Sequence, residues 1–165
     1  FVYDRRGHLV ALYDKTHLFS AGGEARVFAP GDRLTVFSLD GVKCAVIICY
    51  DLRFPELSRQ LAQEDISVLF VPAEWPTVRE MHWRVLTQAR AIENQIFVAA
   101  ANASGAFANG LKLAGRSVIL DPWGERLAEA DAGEAILTAD CDLRVREKIR
   151  QEIDVFSDRR FDLYE

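Results

Sequence analysis

Cysteine is scarce in this 165-residue sequence, which contains three of them. A small, odd number of cysteines argues against a disulfide scaffold and favours a reducing compartment, so we expect a cytoplasmic protein. The sequence also lacks an apolar run long enough to cross a membrane, and it has no cluster of basic and aromatic residues. We therefore expect neither a membrane nor a nucleic acid as a partner.

Histidine is also rare, with three residues in the chain. No other histidine lies near His82 in the sequence, so a Ser–His–Asp triad or a metal-ligand pattern finds no support. We interpret His82, at the head of a long predicted helix, as a structural histidine. The pair Gly22 and Gly23 is too weak a signal for a phosphate-binding loop. We expect a protein that uses no metal and no cofactor.

Half of the residues are hydrophobic and 27% are charged, with a formal net charge of -5, as in a typical globular domain. A chain of this length buries about 70% of the surface that its unfolded form exposes. No linker, repeat or low-complexity segment interrupts it, so we predict one domain over residues 1–165. The sequence begins without methionine, among apolar residues typical of a strand, and we expect it to be the carboxyl part of a longer protein.

Apolar segments with the period of a strand alternate with helical patterns along the chain. The predicted strands cover residues 1–3, 9–13, 33–39, 42–49, 66–71, 97–101, 115–120, 125–130 and 134–141. Predicted helices cover residues 56–63, 78–94 and 143–152; in the second, apolar residues recur at spacings of three and four. Gly7 is predicted to be left-handed in the turn of the first hairpin. This order predicts an α/β layered fold with a mixed sheet.

One cysteine occupies a position that is typical of active sites. Cys49 ends a buried, apolar strand pattern, and a helix pattern starts at Pro55. Chemistry in open α/β sheets is usually found where loops leave the carboxyl ends of strands. The alternative is an inert buried cysteine, which is common. Cys44 faces the opposite side of the strand, and we interpret it and Cys141 as packing residues.

Five ordered motifs resemble the nitrilase superfamily of carbon–nitrogen hydrolases, most closely its omega-amidase and deaminated-glutathione-amidase branch. They are residues 13–19 (YDKTHLF), 49–56 (CYDLRFPE), 90–95 (RAIENQ), 121–125 (DPWGE) and 155–160 (VFSDRR). The resemblance implies a four-layer αββα sandwich with mixed sheets, here without its amino-terminal portion. It also implies homodimers or larger homo-oligomers.

The resemblance further implies a Glu–Lys–Cys catalytic set, often with a second glutamate. It assigns Lys15 as the lysine, Cys49 as the nucleophile and Glu24 as the second glutamate, which orients either Lys15 or the attacking water. The first glutamate, the general base, precedes the lysine by many residues in this family. Only Asp4 and Asp14 are acidic before Lys15, and they fit a turn and the lysine motif. The general base is therefore expected to be absent from this sequence.

The remaining candidate site residues lie within these motifs or where the next strand ends. Lys15 and the backbone N–H of Tyr50 are expected to bind the tetrahedral oxyanion. Arg53 is expected to hold a substrate carboxylate, with a salt bridge to Asp51 or Glu56 as the alternative. Glu74 and Trp75 leave the next strand, and we predict that they line the pocket or pack against it.

These residues predict thiol-dependent hydrolysis of a small linear amide that bears a carboxylate. Cys49 would form a thioester, and ammonia would be released. An N-carbamoyl amidohydrolase or a nitrilase of the same family is an alternative. A third possibility is a non-catalytic relative that acts as a self-association module.

Overall fold

A computed structural model describes residues 1–164 of the chain. In chain order, the strands are β1 (Val2–Tyr3), β2 (Leu9–Ala11), β3 (Val36–Leu39), β4 (Val42–Val46), β5 (Val68–Ala73), β6 (Phe97–Asn102), β7 (Val118–Leu120) and β8 (Arg126–Glu129). The helices are α1 (Pro55–Gln63), α2 (Glu80–Asn94), α3 (Arg144–Glu152) and α4 (Phe161–Tyr164).

Six strands form one mixed sheet in the order β3-β4-β5-β6-β7-β8, which confirms the predicted α/β fold. The central strands β4, β5 and β6 run parallel, and the flanking pairs are antiparallel. The segments that follow β4 and β5 therefore leave from the same edge of the sheet. This edge brings Cys49 and Glu74 together.

The large sheet is apolar on both faces. One face packs beneath α1 and α2, through residues such as Ile47, Leu69 and Trp83, all fully buried. The other face carries Cys44, which is buried as predicted, beside Phe37 and partly buried residues of the β1–β2 pair. Burial on both faces explains the unbroken apolar pattern of these strands. Gly7 is left-handed in the β1–β2 turn, with φ of 80°, which confirms that prediction.

The prediction of a last strand over residues 134–141 is wrong. The structure assigns no strand there, and Ile136 is 95% exposed. Within residues 1–164 the large sheet ends at β8, and no strand pairs with this segment. Cys141 is exposed, and its interpretation as a packing residue is wrong for the same reason.

Helix α2 is confirmed, but its apolar row does not face the sheet. Met81, Val85 and Ile92 are 63%, 54% and 49% exposed. The buried face instead contains Trp83 and several polar side chains, among them Arg90, whose Nη2 donates to the Leu52 carbonyl at 2.8 Å. Among the helices of residues 1–164, none is both long and apolar enough to cross a lipid bilayer.

Candidate active site

Cys49 begins a short 3₁₀ turn, Cys49–Arg53, directly after the apolar residues that extend β4. Its φ is 47°, in the left-handed region that side chains other than glycine rarely adopt. Such a conformation costs about 1–3 kcal/mol and is concentrated at functional sites. The half-buried thiol therefore stands at a sharp break between a rigid strand and a turn.

The turn is fixed by the fully buried carboxylate of Asp51. Its Oδ2 accepts hydrogen bonds from the Tyr13 hydroxyl at 2.8 Å and the Ile48 N–H at 3.0 Å. Its Oδ1 accepts from the Thr16 hydroxyl at 3.1 Å and the His17 N–H at 2.8 Å. One carboxylate thus joins the segment around Lys15 to the turn of Cys49. Sequence reasoning missed this role.

Lys15 and Glu24 form a bidentate ion pair, with Nζ 2.8 and 2.7 Å from the two carboxylate oxygens. The Phe19 N–H also donates to Glu24 Oε2 at 2.8 Å. Burial alone would raise the pKa of the Glu24 carboxyl, but these hydrogen bonds and the lysine charge together lower it. Glu24 is therefore a carboxylate directed at Lys15, and this geometry favours its predicted role in orienting that lysine.

The electrostatic surroundings of Cys49 keep its sulfur protonated at neutral pH. Burial raises the pKa of the thiol above its ordinary value of 9.0. The Glu74 N–H and the Lys15 ammonium lower the pKa, whereas the Glu24 and Glu74 carboxylates raise it. Because the net shift is upward, any reaction of this sulfur as a thiolate would require a base to remove its proton.

A pocket opens beside the thiol, as the sequence predicted for Glu74 and Trp75. Its walls include Phe19, Tyr50, Arg53, Glu74, Trp75 and Arg79. Tyr50 is the second residue of the 3₁₀ turn, where a backbone N–H has no acceptor within the turn. That N–H therefore has no hydrogen-bond partner from the turn itself.

The alternative salt bridge of Arg53 with Asp51 or Glu56 is wrong. Asp51 is occupied by other donors, and no ion pair joins Arg53 to an acid within residues 1–164. The guanidinium carbon lies 4.7 Å from the centroid of the Trp75 ring, and Nη2 is 3.3 Å from His82 Nδ1. His82 is exposed, and its Nδ1 has Arg53 as a hydrogen-bond partner.

Trp75 both lines the pocket and packs in the core, so the two predicted roles coexist. It is 2% exposed, and its ring centroid lies 5.7 Å from that of Trp83. Its indole N–H donates to the Arg79 carbonyl at 2.8 Å. Asn102, at the end of β6, accepts from the Trp75 N–H at 2.6 Å and donates to its carbonyl at 3.2 Å. Sequence reasoning missed Asn102, although its position as a polar residue after an apolar strand was a usable signal.

Residues 1–14 contain no acid that approaches the thiol. Asp4 accepts hydrogen bonds from the Arg6 and His8 N–H groups, as its predicted place in a turn requires. Asp14 is exposed. Within residues 1–164, histidine, cysteine and carboxylate side chains form no group of three or more suited to a metal ion.

Comparisons with known proteins agree with this architecture. The family model described as carbon-nitrogen hydrolase matches residues 1–151. The chain is 44% identical over 164 residues to a 2-oxoglutaramate amidase of Bacillus subtilis, covering 99% of this chain and 63% of that protein. It is 36% identical over 171 residues to the human omega-amidase NIT2, covering 99% and 62%.

Solved structures from the same family also match the fold of this chain. A carbon-nitrogen hydrolase from Helicobacter pylori matches with a TM-score of 0.93 at 26% identity, over 98% of this chain and 62% of that chain. Nit3 of Saccharomyces cerevisiae, a member of the nitrilase superfamily, matches with a TM-score of 0.86 at 33% identity, over 94% and 56%. The chain thus spans about three fifths of the length of the relatives it matches. With the family model covering most of its length, the chain belongs to the carbon-nitrogen hydrolase family.

Proposed function

We propose that this chain carries the nucleophile of an amidase that releases ammonia from a small linear amide bearing a carboxylate. The observation that carries the proposal is the placement of Cys49. Its thiol starts a strained turn at the sheet edge and borders an open pocket. The charge of Lys15 acts on it, while Glu24 holds that lysine in place.

In the first half of the proposed reaction, the sulfur attacks the amide carbon as its proton passes to a base. The tetrahedral intermediate collapses when the C–N bond breaks and the departing nitrogen takes up that proton, which leaves a thioester and ammonia. Water then attacks the thioester, giving the acid and the free thiol. The family resemblance assigns the base to a glutamate upstream of the lysine, and no acid of residues 1–14 takes that place.

The negative oxygen of each tetrahedral intermediate requires donors that are already in position. Lys15 Nζ and the Tyr50 N–H are the proposed pair. Glu24 fixes the lysine through two hydrogen bonds, so little reorganisation is required during the reaction. Loss of one such donor typically raises the barrier by about 3–4 kcal/mol.

The proposed substrate is 2-oxoglutaramate, with its amide at one end and its oxo acid at the other. A relative at 44% identity is named for this amide. Arg53 supports the assignment, because its guanidinium borders the pocket without an ion-pair partner among the described residues. A guanidinium can bind a carboxylate through two parallel hydrogen bonds.

The test is ammonia release from 2-oxoglutaramate by the whole natural protein and by its Cys49→Ala variant. Cys141→Ala is the matched control, because that thiol is exposed and lies outside the pocket. We expect the control to retain activity and Cys49→Ala to lose it. Mass spectrometry of the intact protein during turnover should detect the thioester, heavier by the substrate less ammonia. Equal rates for Cys49→Ala and the unaltered protein would end the proposal.

Three alternatives remain, and each predicts a different experimental result. Arg53 would equally suit the carboxylate of an N-carbamoyl amino acid, whose hydrolysis releases carbon dioxide along with ammonia. Nitriles added to the same assay test for a nitrilase. If none of these compounds is turned over and no adduct forms at Cys49, a non-catalytic self-association module is the better description.

We also propose that two copies of the chain associate through the outer face of α2. The exposed apolar residues of α2 lie on the side away from the sheet. Such surfaces commonly mark an interface. We further propose that the protein works in the cytoplasm. Its three cysteines form no disulfide, which suits a reducing compartment.

A further inference from the structure

A second guanidinium borders the pocket, from an element that the catalytic motifs do not include. Arg79 ends the 3₁₀ turn Thr77–Arg79, directly before α2. It lines the same pocket as Cys49 and Arg53. The two arginines come from different 3₁₀ turns, and both border the pocket next to the thiol.

Both guanidiniums stack on aromatic rings that form walls of the pocket. The Arg79 guanidinium carbon lies 5.6 Å from the Phe19 ring centroid, and that of Arg53 lies 4.7 Å from the Trp75 centroid. Stacking restricts each side chain. Arg53 Nη2 already lies 3.3 Å from His82 Nδ1, and the other N–H groups of the two guanidiniums have no hydrogen-bond partner among residues 1–164. The two forks are therefore positioned in advance for an acceptor.

Neither guanidinium is neutralised within the part of the chain that the structure describes. Arginines elsewhere on the surface, such as Arg84 and Arg116, pair with carboxylates within 4.0 Å. No carboxylate of residues 1–164 lies within 4.0 Å of the nitrogens of Arg53 or Arg79. Glu74 is the one acid among the described lining residues, and it is exposed to solvent. Two unpaired positive charges beside one opening favour an anion there.

At position 79 the backbone, and not the side chain, makes the hydrogen bonds that stabilise the turn. The Arg79 carbonyl accepts the indole N–H of Trp75 at 2.8 Å, and the Arg79 N–H donates to the Pro76 carbonyl at 3.0 Å. The side chain makes no hydrogen bond to the described residues. A substitution of this side chain therefore leaves the turn intact and removes only the charge and the stacked surface.

We propose that Arg79 acts with Arg53 as a clamp on the acidic end of the substrate, and that it determines specificity for amides with an oxo-acid group. The inference rests on the proposed amidase function. The carboxylate and the neighbouring oxo oxygen of a 2-oxo acid offer several acceptors in one plane, which two guanidinium forks can share.

Binding tests the clamp independently of turnover. Titration of 2-oxoglutaramate into the whole protein carrying Cys49→Ala gives a dissociation constant, which is measured again with Arg79→Ala added. Loss of a charge-assisted hydrogen bond is expected to weaken binding by about 10- to 100-fold. Arg33→Ala is the matched control, because this arginine is exposed and remote from the pocket lining. Unchanged binding with Arg79→Ala, or an equal loss with Arg33→Ala, would overturn the clamp.

Kinetics separates specificity from a general loss of function. With Arg79→Ala, kcat/KM should fall by about 10- to 100-fold for 2-oxoglutaramate, mainly through KM, and stay within about twofold for butyramide, which has no acidic end. Arg79→Lys should recover part of the loss, since it keeps the charge without the fork. Equal losses on both amides would refute the specificity role. If the unaltered protein released no ammonia from either amide, the proposed function would fail, while the binding titration would still decide the clamp.

Discussion

The hydroxyl of Tyr13 donates a 2.8 Å hydrogen bond to the buried carboxylate of Asp51. Tyr13 lies two residues before Lys15, and Asp51 lies two residues after Cys49. This contact therefore fixes the lysine segment to the cysteine turn. Burial raises the pKa of the Tyr13 hydroxyl, and the Asp51 charge adds to the rise, so the hydroxyl remains a donor.

Replacing Asp51 with asparagine should destabilise the protein although the side chain keeps its shape. Each carboxylate oxygen accepts a backbone N–H, that of His17 on one side and that of Ile48 on the other. The new NH₂ group would face one of these donors in either orientation. We expect a loss of about 3 kcal/mol in the free energy of unfolding, measured by urea denaturation.

Asp32→Asn is the matched control for this change, because Asp32 is exposed. Its effect should lie within about 0.5 kcal/mol. Activity should also fall in Asp51→Asn protein that is still folded, since Lys15 and Cys49 lose a shared support. A fully stable and active Asp51→Asn variant would show that the carboxylate does not hold the two segments together.

The sequence could predict the parts of the site that depend on local pattern. An unbroken apolar run followed by polar residues and Pro55 marks a buried strand that breaks into a helix, and Cys49 stands at that break. Lys15 and Glu24 have no such signal, because a lysine at a strand exit and an acid in a glycine-rich loop are usually solvated. Only their likeness to a family motif singled them out.

What the sequence could not predict depends on long-range contacts. Asp51 was considered only as a partner of Arg53, because four of its five donor groups belong to residues 13–17, a distant segment that the fold brings next to it. The apolar spacing of α2 indicated a helix correctly but not which face is buried. Trp83 and Arg90 fill the inner face, and apolar residues such as Val85 are left outside. Residues 134–141 have a strand-like composition but lack a neighbouring strand.

Introducing a charge on the outer face of α2 tests the proposed self-association. Val85 is 54% exposed, so Val85→Glu should leave the fold of each copy intact. A carboxylate within an apolar contact would be costly to bury, and we expect dimers to dissociate into monomers. Sedimentation at several concentrations measures the change. Gln60→Glu, at an exposed position of α1, is the matched control and should leave the assembly unaltered. A Val85→Glu protein with an unchanged mass would place the interface elsewhere.

A methyl group at Gly31 should disturb the lysine segment. The Gly31 N–H donates to the Lys15 carbonyl at 2.9 Å, and a Cβ at this position would overlap the Asp14 carbonyl oxygen. Because backbone cannot yield as a flexible side chain does, Gly31→Ala should cost about 1–3 kcal/mol of stability and reduce kcat by displacing Lys15. Thermal unfolding and ammonia release measure the two effects. Gly133→Ala, where a Cβ would meet nothing within 4 Å, should change neither. Equal behaviour of the two variants would remove the steric argument.

The charges around Cys49 predict opposite changes in the reactivity of its thiol. The ammonium of Lys15 lowers the pKa of Cys49, so Lys15→Met should raise that pKa and slow alkylation by iodoacetamide severalfold at pH 8. The carboxylate of Glu24 raises the same pKa, so Glu24→Gln should lower it and speed alkylation. The rate must be followed on the peptide that contains Cys49, because the exposed thiol of Cys141 also reacts. The alkylation rate of Cys141 serves as the internal control and should be the same in the unaltered protein and in the Lys15→Met and Glu24→Gln variants. If both substitutions moved the alkylation profile of Cys49 in the same direction along the pH axis, the lysine and the glutamate would not act on the sulfur through their charges.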